Sequence, residues 1–293
     1  MVKIVIADKM EDEAVAKIKT CGDVFIADAN SLNSLLENAD VLIVRSATKV
    51  DSTLISNAKN LKLVIRAGVG LDNVDAQSCA QKGIAVKNTP GASTNAVAEL
   101  AIAMILSVSR KIGFLHSKML NKNWAKKLGT GVEIQSKTLA IIGMGRIGQS
   151  TAQKASALGM NVIYTDREKK EGLNYKYYSS VNELLGHADY ISLHASAKKG
   201  DPAIIGATQF SKCKKGAFLI NLARGSLVDE PALINALKSS QIAGAAIDVY
   251  ASEPYTGELC SLDNVLLTPH IGASTIQAQS KIADEIVEHI KNL

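Results

Sequence analysis

Only four of the 293 residues are cysteine, and Cys21, Cys79, Cys213 and Cys260 stand far apart with no Cys-x-x-Cys pair. That spacing argues against a zinc site or a redox motif and predicts free thiols in a reducing cytosol, with no metal. Long apolar runs are equally scarce. The longest, around Ala96 to Val108, is interrupted by Glu99 and is too short for a membrane span, so it reads as a buried helix. Aromatic residues make up 4% of the chain and are not interleaved with any lysine-arginine block. The formal charge of +5 therefore points to anionic small molecules or to solvated surface rather than to nucleic acid. The first residues, Met-Val-Lys-Ile-Val-Ile-Ala-Asp, enter a strand at once instead of a basic stretch followed by an apolar core. This predicts no secretory leader and a cytoplasmic location.

What is present describes a folded α/β protein. Hydrophobic residues at 47% and charged residues at 21% suit a globular chain, and the length suits two domains. Short β-rich runs alternate with helical stretches from end to end, which predicts parallel sheets in two doubly wound units. In the first third the expected strands are 3–6, 24–27, 41–44, 63–66 and 84–86, with helices near 11–20, 32–38, 52–57 and 76–81 between them. A second set of strands is expected at 138–142, 161–165, 190–193, 217–221, 243–247 and 265–267. A long helix from about Asn95 to Lys111 follows the turn Asn88–Ser93 and is expected to bury Ala96, Leu100, Ala103, Met104 and Ser107. An amphipathic helix near 276–290 closes the chain and is expected to return to the first unit. Domain boundaries are therefore set at 1–93 with 271–293, and 94–270.

Residues 143–148 read Gly-Met-Gly-Arg-Ile-Gly directly after the strand 138–142, and Asp166 ends the next strand. This is the dinucleotide fingerprint in its strand-turn-helix setting. Gly143 is read as the sharp turn, Gly145 as the point where backbone approaches a pyrophosphate, and Gly148 as the close contact between helix and sheet. The pyrophosphate is expected on the free N–H groups of the helix that starts at Arg146 and Ile147. Asp166 is placed to bind an adenosine ribose and to repel a 2′-phosphate, so the expected cofactor is NAD; Arg167, Lys169 and Lys170 soften that preference.

Hydride transfer to nicotinamide asks for a proton acceptor, a cation for the substrate carboxylate, and a group that supports the acid/base residue. Arg224 lies just past the strand 217–221, where open α/β sheets bind ligands. His270, in Thr-Pro-His-Ile-Gly after the strand 265–267, carries an imidazole, the side chain suited to exchanging a proton with a ketone or alcohol, and Glu253 is available to hold its tautomer. His194 follows the strand 190–193 and reads as a wall of the cofactor cleft. His116, His187 and His289 discriminate poorly.

Several long stretches together resemble the D-isomer-specific 2-hydroxyacid dehydrogenases: Arg66–Asp75 (RAGVGLDNVD), the fingerprint, Asn221–Glu230 (NLARGSLVDE), Ala245–Pro254 (AAIDVYASEP) and Thr268–Thr275 (TPHIGAST). The resemblance implies a Rossmann NAD-binding domain inserted in a flavodoxin-like substrate domain, with Arg224, Glu253 and His270 as the catalytic set. It also implies Ala223, Asp248 and Gly272 as cofactor contacts, Asp248 near the nicotinamide carboxamide. Val44–Val50 and Asn88–Gly91 are similar to the branch of the family that oxidises D-3-phosphoglycerate in serine biosynthesis. That implies a phosphorylated 2-hydroxy acid as substrate, Arg45 as its phosphate contact and the Gly68 and Val69 N–H groups at its carboxylate. Dimerisation through residues 95–135 is implied too, with Trp124–Lys127 reaching the neighbouring subunit. The family's His-x-Pro-Leu-Thr stretch is replaced by His194–Asp201, which implies a looser wall with Lys198 and Lys199 toward the pyrophosphate or solvent. The chain stops 23 residues after His270, so no serine-binding regulatory domain is expected. Two alternatives stay open: a glyoxylate or hydroxypyruvate reductase, and a non-catalytic NAD-sensing corepressor-like protein.

Overall fold

The computed structural model describes residues 1–197 and 200–293. The expectation for Lys198 and Lys199 lies outside the described residues. The chain divides into two compact units, Met1–Thr94 with Ala273–Leu293, and Asn95–Gly272.

The first unit is a five-stranded parallel sheet. Its strands are β1 (Lys3–Ile6), β2 (Asp23–Ile26), β3 (Val41–Val44), β4 (Leu63–Arg66) and β5 (Ala85–Asn88), and their spatial order is β2-β1-β3-β4-β5. Between them run α1 (Asp12–Ile18), α2 (Leu32–Leu36), α3 (Ser52–Ser56) and α4 (Ala76–Gln81). β3 reads Val-Leu-Ile-Val with all four residues buried, as a central strand covered on both faces requires. Asp51 and Asp75 cap α3 and α4 by accepting the Leu54 and Ser78 N–H groups. The strand order is the flavodoxin-like one, whose switch point lies between β1 and β3.

The second unit opens with α5 (Thr94–Ser109) and α6 (Ile112–Leu120) and then builds a seven-stranded parallel sheet. Its strands are β6 (Thr138–Ile142), β7 (Asn161–Thr165), β8 (Lys176–Tyr177), β9 (Tyr190–Leu193), β10 (Ala217–Asn221), β11 (Ile242–Ile247) and β12 (Val265–Leu267). The order β12-β11-β10-β9-β6-β7-β8 is the dinucleotide-binding arrangement with one added edge strand, and it reverses direction between β6 and β9. Helices α7 (Arg146–Ala157), α8 (Val181–Leu185), α9 (Ala207–Lys212) and α10 (Glu230–Lys238) complete this unit. The final helix, α11 (Ile276–Lys291), belongs to the first unit, where Ile282, Ala283, Ile286 and Ile290 join the core formed with β1, β3 and α1. Among the described residues no helix is long and apolar enough to cross a membrane.

α5 departs from expectation in its rotation. Val97, Ala101, Met104, Ile105 and Val108 are buried, whereas Ala103 is exposed and Leu100 and Ser107 are half-buried. With apolar residues nearly all round, the sequence holds little contrast by which to orient the helix. α6 buries none of its residues, and Ile112, Met119 and Leu120 stand exposed on it.

Candidate active site

The fingerprint glycines separate by what surrounds them. Gly143 has φ of +98°, and a Cβ there would lie 2.6 Å from the Ala195 nitrogen. A Cβ on Gly148 would overlap the Gly143 carbonyl. Both positions are therefore closed by the protein itself. Gly145 is different: it has ordinary extended backbone, φ −77° and ψ −166°, and a Cβ there would meet nothing within 4 Å. The space above Gly145 belongs to a cavity of about 840 Å³ that Gly143, Asp166, Arg167, Lys170 and His194 also line. A glycine with open space over its Cα, at the start of the 12-residue helix α7, is the cradle that a pyrophosphate needs. The residues present fit a dinucleotide.

Asp166 sits at the cavity edge with one oxygen accepting the Met144 N–H at 2.9 Å and the other the Arg167 N–H at 2.7 Å. It thus ties β7 to the glycine turn as well as facing the cavity. Lys170 lies 3.6 Å from the same carboxylate. His194 donates its backbone N–H to Ile142, and its Nε2 is 2.8 Å from Ser192 Oγ. Desolvation pushes its pKa down to about 4, so the ring is neutral at physiological pH. Ile147 is half-buried against the core, and Arg146 is exposed at the first turn of α7.

Arg224, Glu253 and His270 are not among the residues lining that cavity. They lie on loops following β10, β11 and β12, at the carboxyl ends of the strands. Buried Asn221 shapes the Arg224 turn: its side chain accepts from the Ala223 N–H at 3.1 Å and donates to the Arg224 carbonyl at 2.9 Å. Arg224 Nη1 donates to the Ala223 carbonyl at 2.6 Å. His270 Nδ1 lies 2.8 Å from Glu253 Oε2, and Glu253 Oε1 accepts the Tyr250 N–H at 3.1 Å. The carboxylate is thereby fixed at both oxygens, which assigns the proton to Nδ1 and leaves Nε2 as the proton acceptor. Both side chains are part-exposed.

His270 has φ of +55°, in the left-handed region that a histidine adopts at a cost. The turn is held there by Asp248, which is fully buried. Its carboxylate accepts Thr268 Oγ1 at 2.5 Å and the N–H groups of Ile271 and Gly272 at 2.8 and 2.9 Å. Asp248 and Gly272, read from the resemblance as cofactor contacts, thus spend three bonds on the loop that carries His270. Thr268 and Tyr250 take part in this loop and were not singled out in the sequence.

In the first unit, Arg45 leaves β3 at the switch point. Asp8, just past β1, accepts the Arg45 N–H at 2.5 Å and the Thr48 hydroxyl at 2.7 Å. Asn73 donates to the carbonyls of Arg45 and Thr48 at 2.8 and 2.6 Å. Neither residue was anticipated, although Asp8 ends a strand next to the switch point and Asn73 lies inside the stretch 66–75. The Arg45 side chain reaches the Lys9 carbonyl at 3.0 Å and lines a cavity of about 520 Å³ beside Lys17 and Thr275. Gly68, whose φ is +148°, donates its N–H to the Arg66 carbonyl at 2.9 Å in a tight turn about Ala67.

Residues 102–272 match the NAD-binding domain of the D-isomer specific 2-hydroxyacid dehydrogenases. A hydroxypyruvate reductase of Thermotoga maritima is 43% identical across 90% of this chain and 87% of its own length. The chain belongs to the D-isomer specific 2-hydroxyacid dehydrogenase family. A D-3-phosphoglycerate dehydrogenase of Methanocaldococcus jannaschii is 41% identical over the whole chain. This chain spans 57% of that relative's length, and similar shares of the other phosphoglycerate dehydrogenases it resembles. Among solved structures, the D-lactate dehydrogenase of Aquifex aeolicus, complexed with NAD and lactic acid, superposes with a TM-score of 0.87 at 30% identity. It covers 99% of this chain and 94% of its own.

Proposed function

We propose that this chain oxidises D-3-phosphoglycerate to 3-phosphohydroxypyruvate. The observation that carries the reading is the Glu253–His270 pair, with Nδ1 tied to a carboxylate that is itself held by a backbone N–H. His270 Nε2 takes the proton of the C2 hydroxyl as the C–H bond at C2 breaks, and Glu253 stabilises the imidazolium that forms. Bound NAD supplies the acceptor for the hydride that leaves C2. Arg224 receives the substrate carboxylate through its planar fork. Arg45 receives the phosphate, on a loop that Asp8 and Asn73 hold fixed. Gly143, Gly145, Gly148, Arg146 and Ile147 form the pyrophosphate cradle, Asp166 binds the ribose, and His194, Ala223, Asp248 and Gly272 border the nicotinamide side.

The phosphorylated substrate is supported by the Methanocaldococcus relative and by the Arg45 loop. A second reading, reduction of hydroxypyruvate or glyoxylate, is supported by the Thermotoga relative. The two are separated by following NADH absorbance with D-3-phosphoglycerate, D-glycerate, D-lactate and glyoxylate, each with both cofactors. The highest kcat/KM with D-3-phosphoglycerate and NAD is expected. Turnover of glyoxylate alone overturns the phosphorylated assignment, and turnover of none favours the corepressor-like alternative.

We further propose a homodimer formed through the segment around residues 95–135, in which Ile112, Met119, Leu120, Trp124 and Leu128 expose apolar surface. A cytoplasmic setting accords with four unpaired cysteines. Sedimentation of the wild type as a dimer and of Trp124→Glu as a monomer is expected; an unchanged dimer contradicts this interface.

A further inference from the structure

Three loops of the second unit meet at Tyr250, a residue whose side chain no part of the mechanism uses. The Tyr250 N–H donates to Glu253 Oε1 at 3.1 Å. Its phenolic hydroxyl lies 3.1 and 3.0 Å from the carbonyls of Ile247 and Thr268, which share its single proton, so it bridges the end of β11 to the residue two before His270. On the third side, Gly225 packs so close to the Tyr250 carbonyl that a Cβ there would overlap it, which seats the turn carrying Arg224 against the same residue. The ring stacks on Tyr255 with centroids 4.4 Å apart, and Tyr255 in turn donates to Glu230 Oε1 at 2.5 Å. Tyr250 is therefore anchored through its ring and not only through its hydroxyl.

We propose that Tyr250 is a positioning residue, whose backbone holds Glu253 and whose hydroxyl holds the left-handed turn that presents His270. The proposal rests on the acid/base reading of His270 given above. Two physical points support it. A histidine at φ +55° returns to a common conformation unless its flanks are fixed, and Thr268 is fixed by Tyr250 and Asp248 together. The phenol also stays protonated across the working range, because burial and the nearby carboxylates of Asp248 and Glu253 push its pKa up to about 12. Its one proton therefore stays available to the two carbonyls that share it.

The test uses the full chain with NAD and D-3-phosphoglycerate, and with NADH and glyoxylate for the reverse direction. Tyr250→Phe keeps the ring stack and loses only the hydroxyl. It is expected to lower kcat about tenfold in the direction that turns over, since small misplacements of an acid/base group are costly. NADH affinity, read by fluorescence, stays within about twofold, because no cofactor contact is removed. The acidic limb of the kcat/KM profile for oxidation moves to lower pH, because a loosened turn holds His270 less closely against Glu253 and the carboxylate stabilises the imidazolium less. A purely structural role lowers the melting temperature without moving that limb. Incorporation of a ring-fluorinated tyrosine at position 250 keeps the fold and makes the phenol more acidic, so activity falls at a lower alkaline pH than in the wild type. Overlaid pH profiles and an unchanged kcat for both variants, with His270→Ala inactive, overturn the proposal and leave the acid/base reading standing. A His270→Ala variant at wild-type rate removes that reading, and the proposal with it.

Discussion

Substituting alanine at Gly145 and at Gly148 is expected to give opposite results, because one glycine faces open space and the other faces backbone. At Gly148 the new Cβ overlaps the Gly143 carbonyl, and main chain does not swing aside as a flexible side chain does. Overpacking of that kind costs about 1–3 kcal/mol. For a unit of this size that lowers the melting temperature by roughly 2–10 °C. At Gly145 the backbone is already extended and a Cβ meets nothing within 4 Å. Alanine there restricts the unfolded chain and should raise stability by about 0.4–1 kcal/mol. The same methyl occupies the surface on which the pyrophosphate is proposed to rest. A loss of about 2 kcal/mol of binding corresponds to a Kd for NADH weakened by more than tenfold. Scanning calorimetry without cofactor and NADH fluorescence titration, run on both variants, read the two effects separately. A Gly145→Ala protein that binds NADH like the wild type refutes the cradle. A Gly148→Ala protein as stable as the wild type refutes the packing.

Asp166→Ala should narrow the preference for NAD over NADP and also weaken both, since the carboxylate anchors the Met144 N–H of the glycine turn; comparison of Kd for NADH and NADPH checks this, and an unchanged ratio contradicts it. Arg45→Ala should lower kcat/KM for D-3-phosphoglycerate by about 100-fold while sparing glyoxylate, as loss of a charge-assisted contact to phosphate predicts. Equal losses on both substrates sink the phosphate role. His194 gives a pH dependence with a definite sign. Its folded pKa of about 4 lies below the ordinary histidine value, so the unfolded chain takes up a proton that the native ring refuses. Stability is complete above about pH 6.5 and falls toward pH 4 by at most about 3 kcal/mol. Urea unfolding of His194→Gln should show this part of the acid slope removed; identical slopes contradict the burial of a neutral imidazole.

The sheets were legible because parallel strands covered on both faces read as short, largely apolar runs without the alternation of a half-exposed strand, and Val41–Val44, Thr138–Ile142 and Tyr190–Leu193 stand in the structure at the bounds the sequence predicts. The two-residue edge strand Lys176–Tyr177 offers no such run and escaped notice. Helix α5 was evident in extent but not in rotation, since apolar residues on every side give no moment to read. In the site, residue types that announce chemistry were visible and those that hold them were not. Asp248 stood out through family resemblance, yet its three bonds to Thr268, Ile271 and Gly272 depend on bringing β11 and β12 side by side. The Asp8 and Asn73 contacts to the Arg45 loop likewise span 37 and 28 residues of sequence, and only the β1-β3-β4 order joins them.

The central claim is that hydride passes directly from C2 of a D-2-hydroxy acid to NAD while His270 takes the hydroxyl proton. Single-turnover reaction of the chain with C2-deuterated D-3-phosphoglycerate and NAD, followed by mass analysis of the reduced cofactor, tests it most directly. The account predicts one deuterium in each NADH formed, with formation abolished in His270→Ala. Undeuterated NADH, or no NADH from the D substrate, contradicts it.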